Sequence, residues 1–380
     1  MKLTFSPLLA VLAIILAGCT SGHTVSIKDL RVEMKKNPVG IGVSQPRFMW
    51  KISSESPDLM QTSYQIQVAE SPDNLKNGKE LLWDSGEVKS DESILIPYGG
   101  NPLQSRKQYY WRIKANTNQG STDWSPINTW SMTLLNPSDW KATWIGENNL
   151  SNPGETKEGK TRLAARYLRK EFVADKPVQR AVLYISGLGF SESYINGKPV
   201  SEDIFAPGPS WYPNRVYYNV YDVTNLLSKD KNTIGVALGN GRYFAMRDRQ
   251  ETLPSLLAQL EIEYTDGSQT VIVSDTSWKV TSKGPIIANN EFDGEEYDAR
   301  LELSGWNKNG FDDSKWLTAD VMATPAGKLT VQSNPGRNQA GQHHRKTGRQ
   351  IYHRYGTEYG RQVGCQPERK ERSTCHHEIC

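Results

Sequence analysis

Short runs in which apolar and polar side chains alternate follow one another along most of this chain, each closed by a turn cluster of Gly, Pro, Asn or Asp. Almost no stretch sustains the period of a helix. "RFMWKIS", "SYQIQVAES", "LLWDSGEV", "SILIPYGG", "QYYWRIKAN" and "NTWSMTLL" succeed one another to about Leu135, with Tyr64, Ile66 and Val68 on one face and Gln65 and Gln67 on the other. A period of two predicts an all-β chain whose sheets bury one face and wet the other. Between Cys19 and Cys365 there is no cysteine, so no disulfide can staple these sheets and their cores must hold them. The 380 residues give room for two or three such units.

The two ends of the chain differ from its body. Lys2, an apolar run from Leu8 to Leu16 and then Leu16-Ala17-Gly18-Cys19 have the shape of a secretory signal, too short to span a membrane. The small residues before Cys19 resemble a bacterial lipobox. That resemblance implies removal of residues 1–18, lipid modification of Cys19, and an exported chain anchored to a membrane in the periplasm or at the cell surface. The formal charge of +3 comes from the other end, because nine Lys/Arg stand against four Glu from Pro335 onward. The body is slightly acidic and offers no basic face, so no nucleic-acid partner is expected.

Residues 24–137 form a first domain on this reading. In "LQSRKQYYWRIKAN", Tyr109 stands six residues after Leu103 and precedes the alternating Trp111, Ile113 and Ala115. This resembles the tyrosine corner and following strand of a fibronectin type III sandwich, with Trp50 and Trp111 as core residues. A Trp-rich link and a polar stretch from Ser151 to Thr161 lead to a second domain, 138–322, expected to be a jelly-roll-like sandwich. In it Ala181–Ser186 and Phe190–Ile195 read as strands, glycines 187 and 189 ease a bend, and Asn196-Gly197 and Asp266-Gly267 supply tight hairpin turns. Residues 323–334 read as the start of a further β domain.

"LYISGLGFSESYINGKPV", "RVYYNVYDVTNLL", "GNGRYF", "DGSQTVIVSDTSWKV" and "GEEYDARLELSGWN", in this order and spacing, resemble the amino-terminal part of bacterial α-L-rhamnosidases. The first sandwich is similar to the domain that precedes it in those proteins, so the resemblance covers about residues 24 to 334. It implies a glycoside hydrolase that removes terminal L-rhamnose by inversion, using paired carboxylates in an (α/α)6 barrel. Inversion needs an acid and a base about 6.5–9.5 Å apart with a water between them. The chain is expected to stop before that barrel, so no catalytic residue is assigned and no hydrolysis by the chain alone is expected.

The acidic stretch "NNEFDGEEYDAR" places Glu291, Asp293, Glu295, Glu296 and Asp298 within eight positions. Asn289, Glu291, Asp293 and Gly294 imitate the start of a calcium loop, but Arg300 stands at its twelfth position and no helices flank it, which excludes an EF-hand. A solvated strand-to-loop junction is the plainer reading. Some related second domains bind rhamnose with calcium, so calcium is carried from the resemblance as a candidate cofactor without assigned ligands.

Sugar sites combine an aromatic face for C–H groups with polar side chains for hydroxyls. The loops "DIFAPGPSWYPNR" and "LGNGRYFAMRD" supply such residues: Asp203, Trp211, Tyr212 and Asn214 in the first, Asn240, Arg242 and Tyr243 in the second. Both are expected to wall one pocket for a rhamnose-containing glycan. Family members often carry Trp where Pro209 and Arg242 stand here, which removes a stacking surface that Trp211 could replace. Loops that merely seal the sandwich are the competing reading.

The stretch from Pro335 to Cys380 holds five of the six His and three of the four Cys, yet their spacing gives no zinc site. Back-translated from Gln350 and read one base late, it permits a sequence resembling the next domain of the same family. A frame slip between about Thr330 and Gln342 is therefore expected, leaving 335–380 without an evolved fold and disordered. The reading as a whole is a non-catalytic amino-terminal part of an α-L-rhamnosidase-like hydrolase. A self-sufficient glycan-binding lipoprotein and a structural spacer are its rivals.

Overall fold

The computed structural model describes residues 25–55, 57–148, 162–244 and 253–332. Cys19, its preceding apolar run and the stretch from Pro335 onward lie outside the described residues. Two β-sandwiches follow one another along the chain.

In the first, β1 (Ser26–Val32), β2 (Arg47–Ser53) and β5 (Ile96–Pro97) form one sheet, in the order β1-β2-β5. β3 (Gln61–Ala69), β4 (Leu81–Asp84), β6 (Gln108–Thr117), β7 (Gly120–Ser121) and β8 (Asn128–Ser131) form the other, with β3 and β6 at its centre. Between β3 and β4 a short helix, α1 (Pro72–Asn77), is capped by the Ser71 hydroxyl and ended by Gly78 in the left-handed region. Trp50, Trp111 and Trp130 fill the space between the sheets and are each at most 1% exposed. The Tyr109 hydroxyl accepts the backbone N–H of Gln104 at 2.8 Å, the bond that defines a tyrosine corner.

The alternation in β3 holds on the inner face, where Ile66 and Val68 are fully buried. Its outer face is less wet than the alternation implies. Gln67 is buried because it donates to Asp84 at 2.8 Å and accepts from Arg112 at 3.0 Å, and Trp124 lies over that guanidinium at 4.3 Å. Long polar side chains cover this face by bonding to one another.

The second sandwich is built from β9 (Ile145–Gly146), β10 (Arg166–Ala174), β11 (Val178–Gly187), β12 (Phe190–Ile195), β13 (Lys198–Pro199), β14 (Arg215–Asp222), β15 (Asp230–Gly239) and β16 (Ser255–Tyr264). It continues with β17 (Gln269–Val273), β18 (Lys279–Thr281), β19 (Ile286–Asn290), β20 (Gly294–Tyr297), β21 (Leu317–Thr318), β22 (Asp320–Val321) and β23 (Lys328–Val331). One sheet runs β13-β12-β15-β10-β18-β21; the other runs β22-β9-β16-β11-β14-β23, with β17 also on β16. Leu168, Phe172, Leu183, Val236, Leu260 and Trp278 pack between them, each contributing about 1.5–3 kcal/mol by leaving water.

β11 and β12 lie in different sheets, so the glycines between them turn a corner from one layer to the other. Gly189 has φ of +131°, and a Cβ there would fall 2.0 Å from the Gly239 carbonyl oxygen. The hairpin turns stand where the sequence predicts them, with Asn196, Gly197 and Gly267 all at positive φ.

Of the stretch read as the start of a further β domain, β23 pairs in parallel with β14 from Arg215–Lys328 to Tyr218–Val331, as an edge strand of the second sandwich. Leu329 and Val331 also help to cover Leu134, Val182, Tyr184 and Tyr218 where the two sandwiches meet. There the Thr133 and Tyr218 hydroxyls lie 2.8 Å apart, and the Arg106 Nε donates to Glu261 at 2.8 Å.

Candidate functional site

The loops 200–214 and 240–244 meet through an aromatic pair. Tyr212 and Tyr243 pack edge to face, with centroids 4.9 Å apart and planes at 84°. Asn214 and Arg215 both donate backbone N–H groups to the Trp211 carbonyl at 2.9 Å, which folds the first loop back on itself. β23 supports it from behind: the Lys328 N–H donates to the Asn214 carbonyl at 3.0 Å, and the Gly208 N–H donates to Gln332 Oε1 at 2.8 Å. Gly327 permits this approach, since a Cβ there would stand 2.2 Å from the Tyr212 carbonyl oxygen.

A third element completes the face. The β19–β20 hairpin brings Glu291 and Phe292 to Arg242, whose Nε and Nη2 donate to the two Glu291 oxygens at 2.7 and 2.8 Å. The same guanidinium lies 5.6 Å from the centre of the Phe292 ring. Held by a carboxylate fork and an aromatic ring, Arg242 is fixed as a flat polar group. Burial, then the nearby Glu291 carboxylate and Tyr243, push the Tyr212 hydroxyl above the usual phenol range, so it stays protonated and able to donate. Trp211 is 53% and Phe292 66% exposed. Tyr212 and Tyr243 rest partly on Trp144, Leu188, Val216 and Leu257 beneath them, so the pair is anchored to the sandwich while Trp211 and Phe292 face solvent.

The other predicted residues stand elsewhere. Asn240 is fully buried: its N–H donates to Asn289 Oδ1 at 2.7 Å and its side-chain amide to the Leu163 carbonyl at 2.9 Å. It ties the end of β15 to β19 from beneath the loop, and as a surface contact it is corrected. Asn214 contributes its backbone, with its side chain exposed beside Trp211. Asp203 does not join the aromatic pair; it accepts from the Tyr221 hydroxyl at 3.1 Å in a separate cleft.

The acidic stretch is largely paired. Glu291 holds Arg242, Glu296 meets Arg162 at 2.6 Å, Asp298 meets Arg300 at 2.5 Å, and Asp293 accepts from the Asn290 amide at 2.6 Å. Arg300 brings the Asp298 carboxyl down to about 2. Glu295 moves the other way, up to about 7, through burial and the charge of Glu192 on β12. Among the described residues no three His, Cys, Asp or Glu side chains gather closely enough to hold a metal ion.

Family models match both sandwiches. One described as "Rha78A-like, N-terminal immunoglobulin domain" covers residues 27–136, and one described as "Alpha-L-rhamnosidase N-terminal domain" covers residues 176–340. The chain carries the amino-terminal region of the α-L-rhamnosidase family.

An α-L-rhamnosidase of Formosa agariphila is 38% identical over 312 residues, 78% of this chain and 34% of that protein. One of an Alteromonas species is 35% identical over 333 residues, 84% of this chain and 36% of its own length. The chain thus spans about a third of the curated relatives it matches. Solved α-L-rhamnosidases from Dictyoglumus thermophilum and Aspergillus terreus resemble it with TM-scores of 0.73 and 0.71 at 36% and 34% identity, each over 81% of this chain and 35% of the other. The rhamnosidase amino-terminal model runs to residue 340, past Met322, in keeping with the place of β23 in the second sandwich.

Sequence reasoning missed Phe292, and it left Glu291 in a solvated acidic run. For Glu291 the signal was present as an unpaired-looking Arg242 at a loop tip. Phe292 needed the fold, because Arg242, its neighbour, comes from a distant loop.

Proposed function

We propose that the two sandwiches serve a glycoside hydrolase acting on rhamnose-containing glycans by holding and orienting the glycan, while the bond is cleaved elsewhere. The observation that carries this reading is the Tyr212–Tyr243 pair beside the salt-bridged Arg242, whose guanidinium lies against Phe292, with Trp211 exposed next to Tyr212 in the chain. Aromatic rings take the apolar face of a deoxy sugar, and the Arg242 guanidinium and Tyr212 hydroxyl donate to its oxygens. Kinship with α-L-rhamnosidases supports rhamnose as the sugar.

Calorimetric titration of the purified chain with a rhamnose-rich oligosaccharide tests the proposal. Saturable heat that Tyr243→Ala weakens is the expected result; heat unchanged by that substitution, or no heat at all, overturns it. A second assay with an aryl α-L-rhamnoside is expected to show no turnover by this chain. The reading extends to location: Cys19, after its apolar run, anchors the exported chain through a lipid. Radiolabelled palmitate incorporated by the chain and lost in Cys19→Ala would bear this out, and equal labelling of both would refute it.

A further inference from the structure

In the first sandwich the β1–β2 ladder turns Phe48, Trp50 and Ile52 inward, and its outer face carries Lys28, Arg31, Arg47 and Lys51, with Lys36 reaching it from the turn after β1. The two carboxylates of this face lie beneath the cations. Asp29, where β1 bulges, is 15% exposed and takes Arg31 Nε at 2.9 Å, Lys36 Nζ at 3.3 Å and Lys51 Nζ at 2.9 Å, while the Lys36 and Lys51 side chains are each 67% exposed. Arg31, then Lys51 and Lys36, hold the Asp29 carboxyl well below the usual range, so it stays charged. Glu33 is likewise tucked under the more exposed Arg47.

Five cations thus stand above two anions. Lys28 lies directly across from Lys51 in the ladder, a like-charge pairing that weakens a sheet, and its ammonium donates to Ser53 Oγ at 3.2 Å. The exposed acids Glu55, Asp58, Asp91 and Glu92 stand on the loops after β2 and before β5. A flat surface laid on the ladder meets ammonium and guanidinium groups first. The face also begins where the chain enters the fold: Ser26 pairs with Ser53 beside Lys28 and Lys51, and Cys19 lies seven residues before Ser26, at most about 25 Å away at full stretch.

We propose that the face of Lys28, Arg31, Lys36 and Lys51 is a docking surface for anionic phospholipid headgroups, which seats the first sandwich on the membrane that a lipid on Cys19 tethers it to. It rests on the lipid-anchor reading above for its location and adds a second contact borne by the fold. Anionic headgroups attract Lys and Arg over about a Debye length, 8–10 Å. An anionic polysaccharide offers the same charge, but the short tether favours the lipid surface.

Co-sedimentation of the whole chain with vesicles tests the proposal, with Cys19→Ala in every protein so that no anchor contributes. Binding to phosphatidylcholine vesicles that contain phosphatidylglycerol is expected to exceed binding to phosphatidylcholine alone and to weaken as salt is raised. The triple change Lys28→Gln, Lys36→Gln and Lys51→Gln should weaken it about tenfold or more. Lys28→Gln alone, which leaves the Asp29 bonds in place, should weaken it by a smaller factor. Lys229→Gln with Lys231→Gln, on the second sandwich, should leave it unchanged. The apolar run of residues 8–16 and the basic stretch from Pro335 are common to all these proteins, so the differences report on the face. Binding that the triple change and Lys28→Gln leave intact overturns the proposal, as does retention on an anionic polysaccharide through these lysines without vesicle binding. Palmitate labelling is read separately. A chain that labels but shows no lysine-dependent vesicle binding keeps the anchor and loses the docking face; lysine-dependent binding by a chain that takes no label keeps the docking face and loses the anchor.

Discussion

Arg106, at the end of the first sandwich, donates Nε to Glu261 of the second at 2.8 Å. It also donates Nη1 to the Asp139 carboxylate at 3.2 Å and Nη2 to the Asp139 carbonyl at 2.9 Å, and its own carbonyl accepts from Arg180 at 3.0 Å. One side chain thus ties the first sandwich, the link and β16 together. Arg106→Ala strands two half-buried carboxylates and should cost about 1.5–3 kcal/mol. In urea the substituted protein is expected to unfold at a lower midpoint, with the two sandwiches melting in separable steps. Arg106→Lys should restore little, since an ammonium cannot reproduce the planar fork. Midpoints identical to the unaltered protein would contradict this role.

Glu147 and Arg166 are each 1% exposed and lie 3.8 Å apart, with Ser282 donating to Glu147 at 3.1 Å. Removing one member of a buried pair leaves the other charge in a poor solvent, which costs about 3–5 kcal/mol. Glu147→Ala should therefore be among the most damaging single changes in the second sandwich. Thermal melts of the two proteins at one pH are the check, and a change under about 1 kcal/mol would rule out a charged pair here.

Tyr243 and Tyr212 meet edge to face, so shape matters more than the Tyr243 hydroxyl. Tyr243→Phe is expected to retain glycan binding within about threefold, whereas Tyr243→Ala should lose about tenfold or more, near 1.4 kcal/mol. Equal losses in both variants would point to the hydroxyl instead. Affinity electrophoresis in a rhamnose-rich polysaccharide gel separates the outcomes.

Glu295 gives the fold a pH dependence whose sign follows from its shift. Its carboxyl holds a proton up to about 7 in the fold, through burial and the charge of Glu192, against about 4.3 in an unfolded chain. The folded state therefore binds more protons across this interval. The contribution is full below about pH 4.3 and is lost as pH rises through about 7. Glu295→Gln should be neutral near pH 4 and more stable than the unaltered protein at pH 8 by about 1 kcal/mol, a figure reduced because the group is half exposed. Denaturation curves at the two pH values decide it; a constant difference between the proteins would show that Glu295 does not titrate in this way.

Much of the architecture was legible because it depends on local patterns. The alternation of Tyr64, Ile66 and Val68, the Tyr109 corner and the Asn196-Gly197 turn each fix a backbone or a face from neighbouring residues alone. The place of β23 beside β14 was not legible, because a parallel partner leaves no turn signal and Arg215 and Lys328 are far apart in sequence. The candidate site divided for a similar reason. Tyr212 and Tyr243 stand together with Arg242 beside them, whereas Asp203, earlier on the same loop as Tyr212, and Asn240, buried at the end of β15, turn to other neighbours. Nothing near Asn240 in sequence announces Asn289, its buried partner.

The order in which strands are joined bears on how the protein is made. The first sandwich draws all its strands from consecutive segments, so it can fold as soon as those segments have crossed the membrane, ahead of the second. The second cannot close so early: β9 waits for β16 and β22, and β14 waits for β23. Until the last of these arrives, Tyr184 and Tyr218 lack part of their apolar cover, and the incomplete chain carries a sticky seam.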